Sequence, residues 1–343
     1  MQTISLTPEY RISRLIKGGW HLAGGHGPVD TQQALVDMAQ FVESGITTFD
    51  CADIYTGVEQ MIGDFRLNYP ALATKLKVHT KFVPDLDRLG SVDSQYVEQI
   101  IHRSMKRLGV DQLDLVQFHW WDFTVPGYVE AALELSRLQK IGDICHLGVT
   151  NFDVAHLREL HQAGVAIVAH QLQYSVLDSR PSGLMTEYCA AAGIGFLCYG
   201  TVAGGFLSER WLGVAEPAHP LANRSLTKYK LIIDDFGGWA RFQDLLRVLK
   251  QIAENHQCDI ATIASAYVLA QPQVSAAIIG ATNTAHLPSH LRLANVALDS
   301  SEIIRIRDFL ATGPHLAGDV YELERDRDGR HGRIMKYNLS TPT

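Results

Sequence analysis

TTFDCADIY (47–55) sets the architecture of this chain. A short β-branched and aromatic run, the mark of a buried strand, ends in an aspartate, and a tyrosine follows five residues later. KVHTKF (77–82) repeats the pattern with a lysine beside its end, and LDLVQFH (113–119) finishes in a histidine. If these strands lie side by side, Asp50, Tyr55, Lys81 and His119 converge at one end of a sheet. A phenol beside an ammonium, with a carboxylate behind and an imidazole opposite, is equipped to deliver a proton to a carbonyl oxygen.

Further strands follow on both sides: RLIKGG (14–19), CHLGVT (145–150), IVAHQLQ (167–173), IGFLCYG (194–200) and SAAIIGA (275–281). Between them run amphipathic helices such as TQQALVDMAQFVESG and SQYVEQIIHRSMKRLG. Several end on Gly45, Gly109, Gly142 or Gly164, where a left-handed turn out of a helix favours glycine. Eight strands separated by helices predict an all-parallel sheet, and eight is the number that closes a (β/α)8 TIM barrel. An open doubly wound sheet is the alternative, weakened because no GxGxxG follows the first strand. About 75 residues separate the seventh strand from the eighth. They are read as a long loop (201–238), an extra helix near Arg241–Asn255 and the helix ATIASAYVLAQ. With no repeat or low-complexity linker, residues 1–343 form a single barrel domain. Its mixed-charge, turn-rich end (311–343) is read as a surface tail of a kind that can cover an active-site mouth.

Composition excludes several classes. A net charge of -7 and a pI near 6.1, with no basic patch, speak against a nucleic-acid partner. The five cysteines lack CxxC spacing and read as reduced thiols rather than a disulfide frame or zinc site. No apolar run approaches ~18 residues and no leader is visible, so a cytoplasmic protein without a membrane partner is expected. His21 and His26 share a glycine loop without a carboxylate cluster, and no metal site is expected.

A free tyrosine holds its proton tightly, and a nearby ammonium favours the phenolate. On this reading Lys81 acidifies Tyr55, Asp50 keeps Lys81 charged, and His119 donates a hydrogen bond that orients a substrate carbonyl. The stretches DCADIYTGVEQMIGDF, VHTKF, DLVQFHWWD and GVTNF closely resemble motifs of the aldo-keto reductase superfamily. The nearest branch is the one containing the Shaker-type potassium-channel β subunits. The resemblance implies a barrel binding a nicotinamide cofactor at the strand C-termini, with Tyr55 as general acid in carbonyl reduction.

It also implies cofactor contacts. Thr150, Asn151 and Gln171 resemble the carboxamide-binding side chains, and Tyr199 the aromatic that stacks on the nicotinamide. The run GTVAGGFLSER, with Gly200, Thr201, Ala203 and Gly205, resembles the pyrophosphate loop. Gly19, Trp20 and Asp50 complete that end. IIGATNTAHLPSHL, with Gly280, Thr282, His286 and His290, resembles the segment that holds the adenosine 2′-phosphate, and Arg210 and Arg224 match basic loop residues. NADP(H) is therefore preferred over NAD(H).

Taken singly, Tyr55 and His119 read as satisfied core residues, and Lys81 with Asp50 as a structural ion pair. Four positions in register outweigh that reading. Trp20, Trp120 and Trp121 fall at strand ends and could line a substrate pocket, only one of the adjacent pair facing inward. The function implied is an oxidoreductase acting on a small-molecule carbonyl or alcohol, with oligomeric state open. The alternative is a nicotinamide-binding regulatory subunit resembling the channel β subunits. A first strand beginning within about 14 residues leaves little room for a long N-terminal gating segment.

Overall fold

The computed structural model describes residues 1–24 and 27–339; His26 and Gly25 lie outside the described residues. The chain opens with an antiparallel hairpin, β1 (Thr3–Thr7) and β2 (Tyr10–Ser13). Eight parallel strands then close a barrel: β3 (Leu15–Gly18), β4 (Thr48–Asp50), β5 (Lys77–Phe82), β6 (Leu113–Phe118), β7 (Ile144–Thr150), β8 (Ile167–Gln173), β9 (Gly195–Tyr199) and β10 (Val274–Gly280). They run in sequence order around the barrel, and β10 pairs with β3. This is the (β/α)8 barrel that the strand pattern predicts.

Local chemistry explains the punctuation. Asp30, Asp93, Asp153, Asp259 and Asp299 each cap a helix, their carboxylates accepting from backbone N–H groups of the first turn. At the other ends Gly109 and Gly142 take the left-handed conformation at φ 65° and 100°. The strands of a barrel are covered on both faces, so β5 is buried along nearly its whole length.

The hairpin was not visible in the reading of the sequence. Tyr10 and Ile12 pack with Ile16, Leu115, Ala169, Leu197 and Ala276 into a small apolar cluster inside the barrel. The Tyr10 hydroxyl lies 3.1 Å from His79 Nε2, and its ring is 4.4 Å from that of His146. The hairpin therefore plugs the end of the barrel opposite the site.

The segment read as a long loop also carries structure. A helix spans Arg224–Asp235 on an Asn223 cap, and the extra helix runs Gly238–Asn255. Both bury apolar faces in a second core with Phe206, Trp239, Phe242, Ile263 and Ile306. From residue 312 to 339 the chain is packed rather than free on the surface. Val320, Tyr321, Glu324 and His331 are buried. Glu324 meets Arg180 at 3.2 Å and Lys228 at 3.3 Å, while Arg180 also holds Asp178 at 2.8 Å. Those partners lie up to about 145 residues away in the chain, which is why a charged segment looked like a solvated one.

Candidate active site

Strand register builds the centre. Asp50 ends β4 beside Gly18 of β3, Lys81 on β5 faces Gln117 on β6, and Thr150 on β7 faces Gln171 on β8. Lys81 Nζ donates to both Asp50 oxygens, at 2.9 and 2.7 Å, and to the Cys51 carbonyl at 2.8 Å. These three acceptors hold the ammonium in a site where both side chains are 5% exposed. Burial works against the charged lysine, but Asp50 outweighs it and the pKa ends above its ordinary value. Gln117 and Gln171 donate to Asp50 Oδ1 at 3.0 and 2.6 Å. Gln117 was not singled out from the sequence, because an inward glutamine in an apolar strand carries no motif.

Tyr55 lies against this cation, its ring centroid 5.0 Å from Lys81 Nζ, with the Trp20 ring edge-on at 5.1 Å. The expected acidification is incomplete. Burial raises the phenol pKa, Lys81 draws it down, Asp50 partly cancels Lys81, and the balance lies above the ordinary value. Tyr55 is a protonated phenol across the neutral range.

His119 differs from its expected role in a definite way. Its Nδ1 lies 3.0 Å from the Thr150 carbonyl, an acceptor only, so Nδ1 carries the proton. Burial, with Arg325 and Lys81 adding to it, pushes the imidazole pKa down to about 3. A neutral ring protonated at Nδ1 has only a lone pair at Nε2. His119 cannot donate to a carbonyl in this state, and Tyr55 is the group beside the ion pair that can.

These residues stand at one end of a cavity of about 540 Å³. Trp20, Asp50, Tyr55, Lys81, His119, Trp121, Thr150, Asn151, Gln171, Tyr199, Gly200, Thr201, Arg224, Gly280, His286 and His290 all line it. Others singled out from the sequence do not. Trp120 is fully buried, donating from Nε1 to the Val125 carbonyl at 3.1 Å, so Trp121 is the member of the pair that faces inward. Gly19 lies beneath the site, where a Cβ would stand 2.7 Å from the Asp50 carbonyl oxygen. Ala203 is buried in the second core and Gly204 lines the cavity instead of Gly205. Arg210 lies over the Trp211 ring at 5.4 Å, and Thr282 is exposed away from the wall. Lining residues that the sequence reading passed over include Lys228, Tyr229, Asp259, Ser265 and Tyr321. From the tail, Ile334, Met335, Lys336 and Leu339 reach the wall as well. Only the capping aspartate at 259 had a visible signal, and it announced a helix rather than a site.

The walls suit a nicotinamide dinucleotide. Gln171 uses its NH2 on Asp50 and Gln117, and Asn151 Oδ1 accepts from the Tyr199 hydroxyl at 2.9 Å. The Gln171 amide oxygen and the Asn151 Nδ2–H thereby offer the acceptor and donor that a planar carboxamide needs. Asn151 sits at φ 61°, a left-handed conformation that asparagine tolerates better than most residues. Among the described residues no group of three His, Cys, Asp or Glu side chains could hold a metal ion. No helix there is long and apolar enough to cross a membrane.

A family model described as the aldo/keto reductase family matches residues 14–311. The chain belongs to that family. Among its aldo/keto reductase relatives is a probable aldo-keto reductase 1 of Glycine max, 27% identical over 331 residues, covering 92% of this chain and 90% of the relative. An NADH-specific methylglyoxal reductase of Escherichia coli strain K12 is 24% identical, covering 88% and 96%. The solved structure of a glycerol dehydrogenase from Gluconobacter oxydans superposes with a TM-score of 0.78 at 22% identity, covering 92% of this chain and 97% of that one.

Proposed function

We propose that this aldo/keto reductase family member reduces an aldehyde or ketone to an alcohol with a nicotinamide dinucleotide, Tyr55 supplying the proton. The observation that carries the reading is the buried Lys81–Asp50 pair directly beneath a protonated phenol, beside an imidazole with no proton to give. When bound, the reduced cofactor would supply the hydride. The chain's own part is to hold, orient and protonate. Asn151 and Gln171 would fix the carboxamide and hence the ring face, and Tyr199 offers a flat surface beside them. Lys228, 5.4 Å from the Tyr199 ring centroid, and Arg224 supply positive charge for a diphosphate along the middle of the cavity. Tyr55 donates to the carbonyl oxygen as negative charge develops there, and the Lys81 ammonium stabilises the phenolate left behind.

Trp20, Trp121, Tyr321, Ile54 and Val83 make the walls near Tyr55 largely apolar, which favours a substrate with an apolar body. The methylglyoxal reductase among the relatives is consistent with a small carbonyl substrate. A cytoplasmic setting suits a protein working on the cellular nicotinamide pool. A regulatory role resembling the channel β subunits would need the cofactor cavity but not a proton donor held over a buried ion pair, so catalysis is favoured.

Tyr55→Phe tests the reading. Turnover of a panel of aldehydes and ketones should fall by a factor of about 10² or more. Cofactor binding, followed by quenching of tryptophan fluorescence, should stay close to wild type. A variant with near-normal turnover would remove Tyr55 from the chemistry.

A further inference from the structure

The end of the cavity remote from Tyr55 lies outside the barrel, between the helices Ile260–Leu269 and Leu287–Leu293. On the reading proposed above, a dinucleotide with its nicotinamide at Tyr55 and its diphosphate beside Lys228 and Arg224 extends its adenosine into this end. The two common nicotinamide dinucleotides differ only in what sits on the adenosine ribose: a neutral 2′-hydroxyl, or a phosphate carrying close to two negative charges.

A helix N-terminus is ordinarily a good place for a phosphate, because its first N–H groups lack partners. Here protein carboxylates already occupy it. Asp259 Oδ1 accepts from the Thr262 N–H at 2.7 Å and from the Thr262 hydroxyl at 2.6 Å, and Glu209 Oε1 accepts from the Ile260 N–H at 3.0 Å. Both carboxylates line the cavity. Burial alone would raise the Asp259 pKa, but hydrogen bonds from Ser289 and Thr262 outweigh it, and the group is held below its ordinary value. It stays ionised at neutral pH.

The positive groups nearby do not reverse this sign. Arg292 reaches Asp259 at 3.9 Å, and Lys250 reaches Glu209 at 3.7 Å, so each balances a carboxylate already present. His290 is pushed down to about 4 by burial and by His286, and is neutral. Arg224 donates to the Ile334 carbonyl at 2.8 Å, on the tail side of the cavity.

We propose that this end selects a free 2′-hydroxyl, so that the protein prefers NAD(H) to NADP(H), with Asp259 as the discriminating group. Its Oδ2 accepts from the Ser289 hydroxyl at 2.5 Å and keeps a lone pair for a ribose hydroxyl. The same charge repels a phosphate at that position. This reverses the preference for NADP(H) drawn from the sequence, where the motif segment was weighed without the helix cap that folds against it.

The test is fluorescence titration of the full chain with NADH and NADPH, without substrate, for wild type and Asp259→Asn. Asparagine keeps the cap while removing the charge. Wild type should bind NADH about tenfold or more tighter than NADPH, and the variant should narrow that ratio by about tenfold, chiefly by improving NADPH. NADPH binding as tight as NADH in wild type would overturn the proposal and leave the reductase reading standing. An unchanged ratio in the variant would remove Asp259 as the discriminator. If neither dinucleotide bound, the cofactor reading would fail and this proposal with it.

Discussion

At the scale of single residues, the site turns on which group holds a movable proton. Lys81 acts on Tyr55 both as a charge and as a hydrogen-bond donor, while Asp50 and the Cys51 carbonyl accept from the same ammonium. Burial outweighs both effects of Lys81 on the phenol, and Asp50 partly cancels the charge of Lys81. The consequence is directional. With the Tyr55 pKa above its ordinary value, the proton needed for carbonyl reduction is present throughout the neutral range and is lost only as pH rises past that value. Alcohol oxidation needs the phenolate and has the opposite dependence. The rate of reduction should be flat between about pH 6 and 9, while oxidation should climb steadily above about pH 9. Initial rates in both directions across that range check this; a reduction rate that falls away between pH 7 and 8 would mean the ammonium wins after all. His119 makes the same point from the other side. Its identity and place at a strand end were legible in the sequence, whereas its tautomer depends on the Thr150 carbonyl of the neighbouring strand.

Among elements, the segment beyond residue 311 joins the site to the rest of the fold. Tyr321 stands 5.7 Å from the His119 ring, and Arg325 donates to the Asn151 and Trp120 carbonyls at 2.7 and 3.2 Å. The anchor is Glu324. Burial would raise its pKa, but Lys228 and Arg180 overrule that and hold it at about 2. Neutralising this buried carboxylate leaves Lys228 uncompensated and Arg180 with Asp178 alone. Glu324→Gln should therefore lower stability by about 3 kcal/mol and expose the tail to limited proteolysis. Urea unfolding and trypsin digestion read the two effects, and a variant as resistant as wild type would show that the tail is held by its apolar contacts alone. Lys228 also faces the cavity, and an ammonium released from its carboxylate should hold a diphosphate more tightly. None of this was legible locally, since the partners of Glu324 sit in the β8–helix connection and in the helix Arg224–Asp235.

For the whole molecule, the barrel wall holds histidines that fold only when neutral. His79, His119 and His170 are fully enclosed, and burial, the leading cause for each, pushes each pKa down to about 3. In the unfolded chain each would take up a proton near pH 6.5. The native state does not, so the stability they contribute is complete above pH 6.5 and drains as pH falls from there toward 3. Each costs about 1.4 kcal/mol per pH unit within that window. Urea midpoints should drop clearly between pH 7 and 5, before most carboxylates titrate, and a flat profile there would contradict the neutral assignment. Alternating apolar runs and helices, eight in number, with polar residues closing several strands, were enough to specify a barrel and to gather Asp50, Tyr55, Lys81 and His119 at its mouth. Those features are periodic and local, so they survive without coordinates. What only the tertiary structure decided is how each group behaves once gathered: that Tyr55 keeps its proton, that His119 has none to offer, that Trp121 rather than Trp120 faces the cavity, and that carboxylates guard its far end. Such properties follow from burial and from distances between residues remote in the chain, and a linear pattern encodes neither.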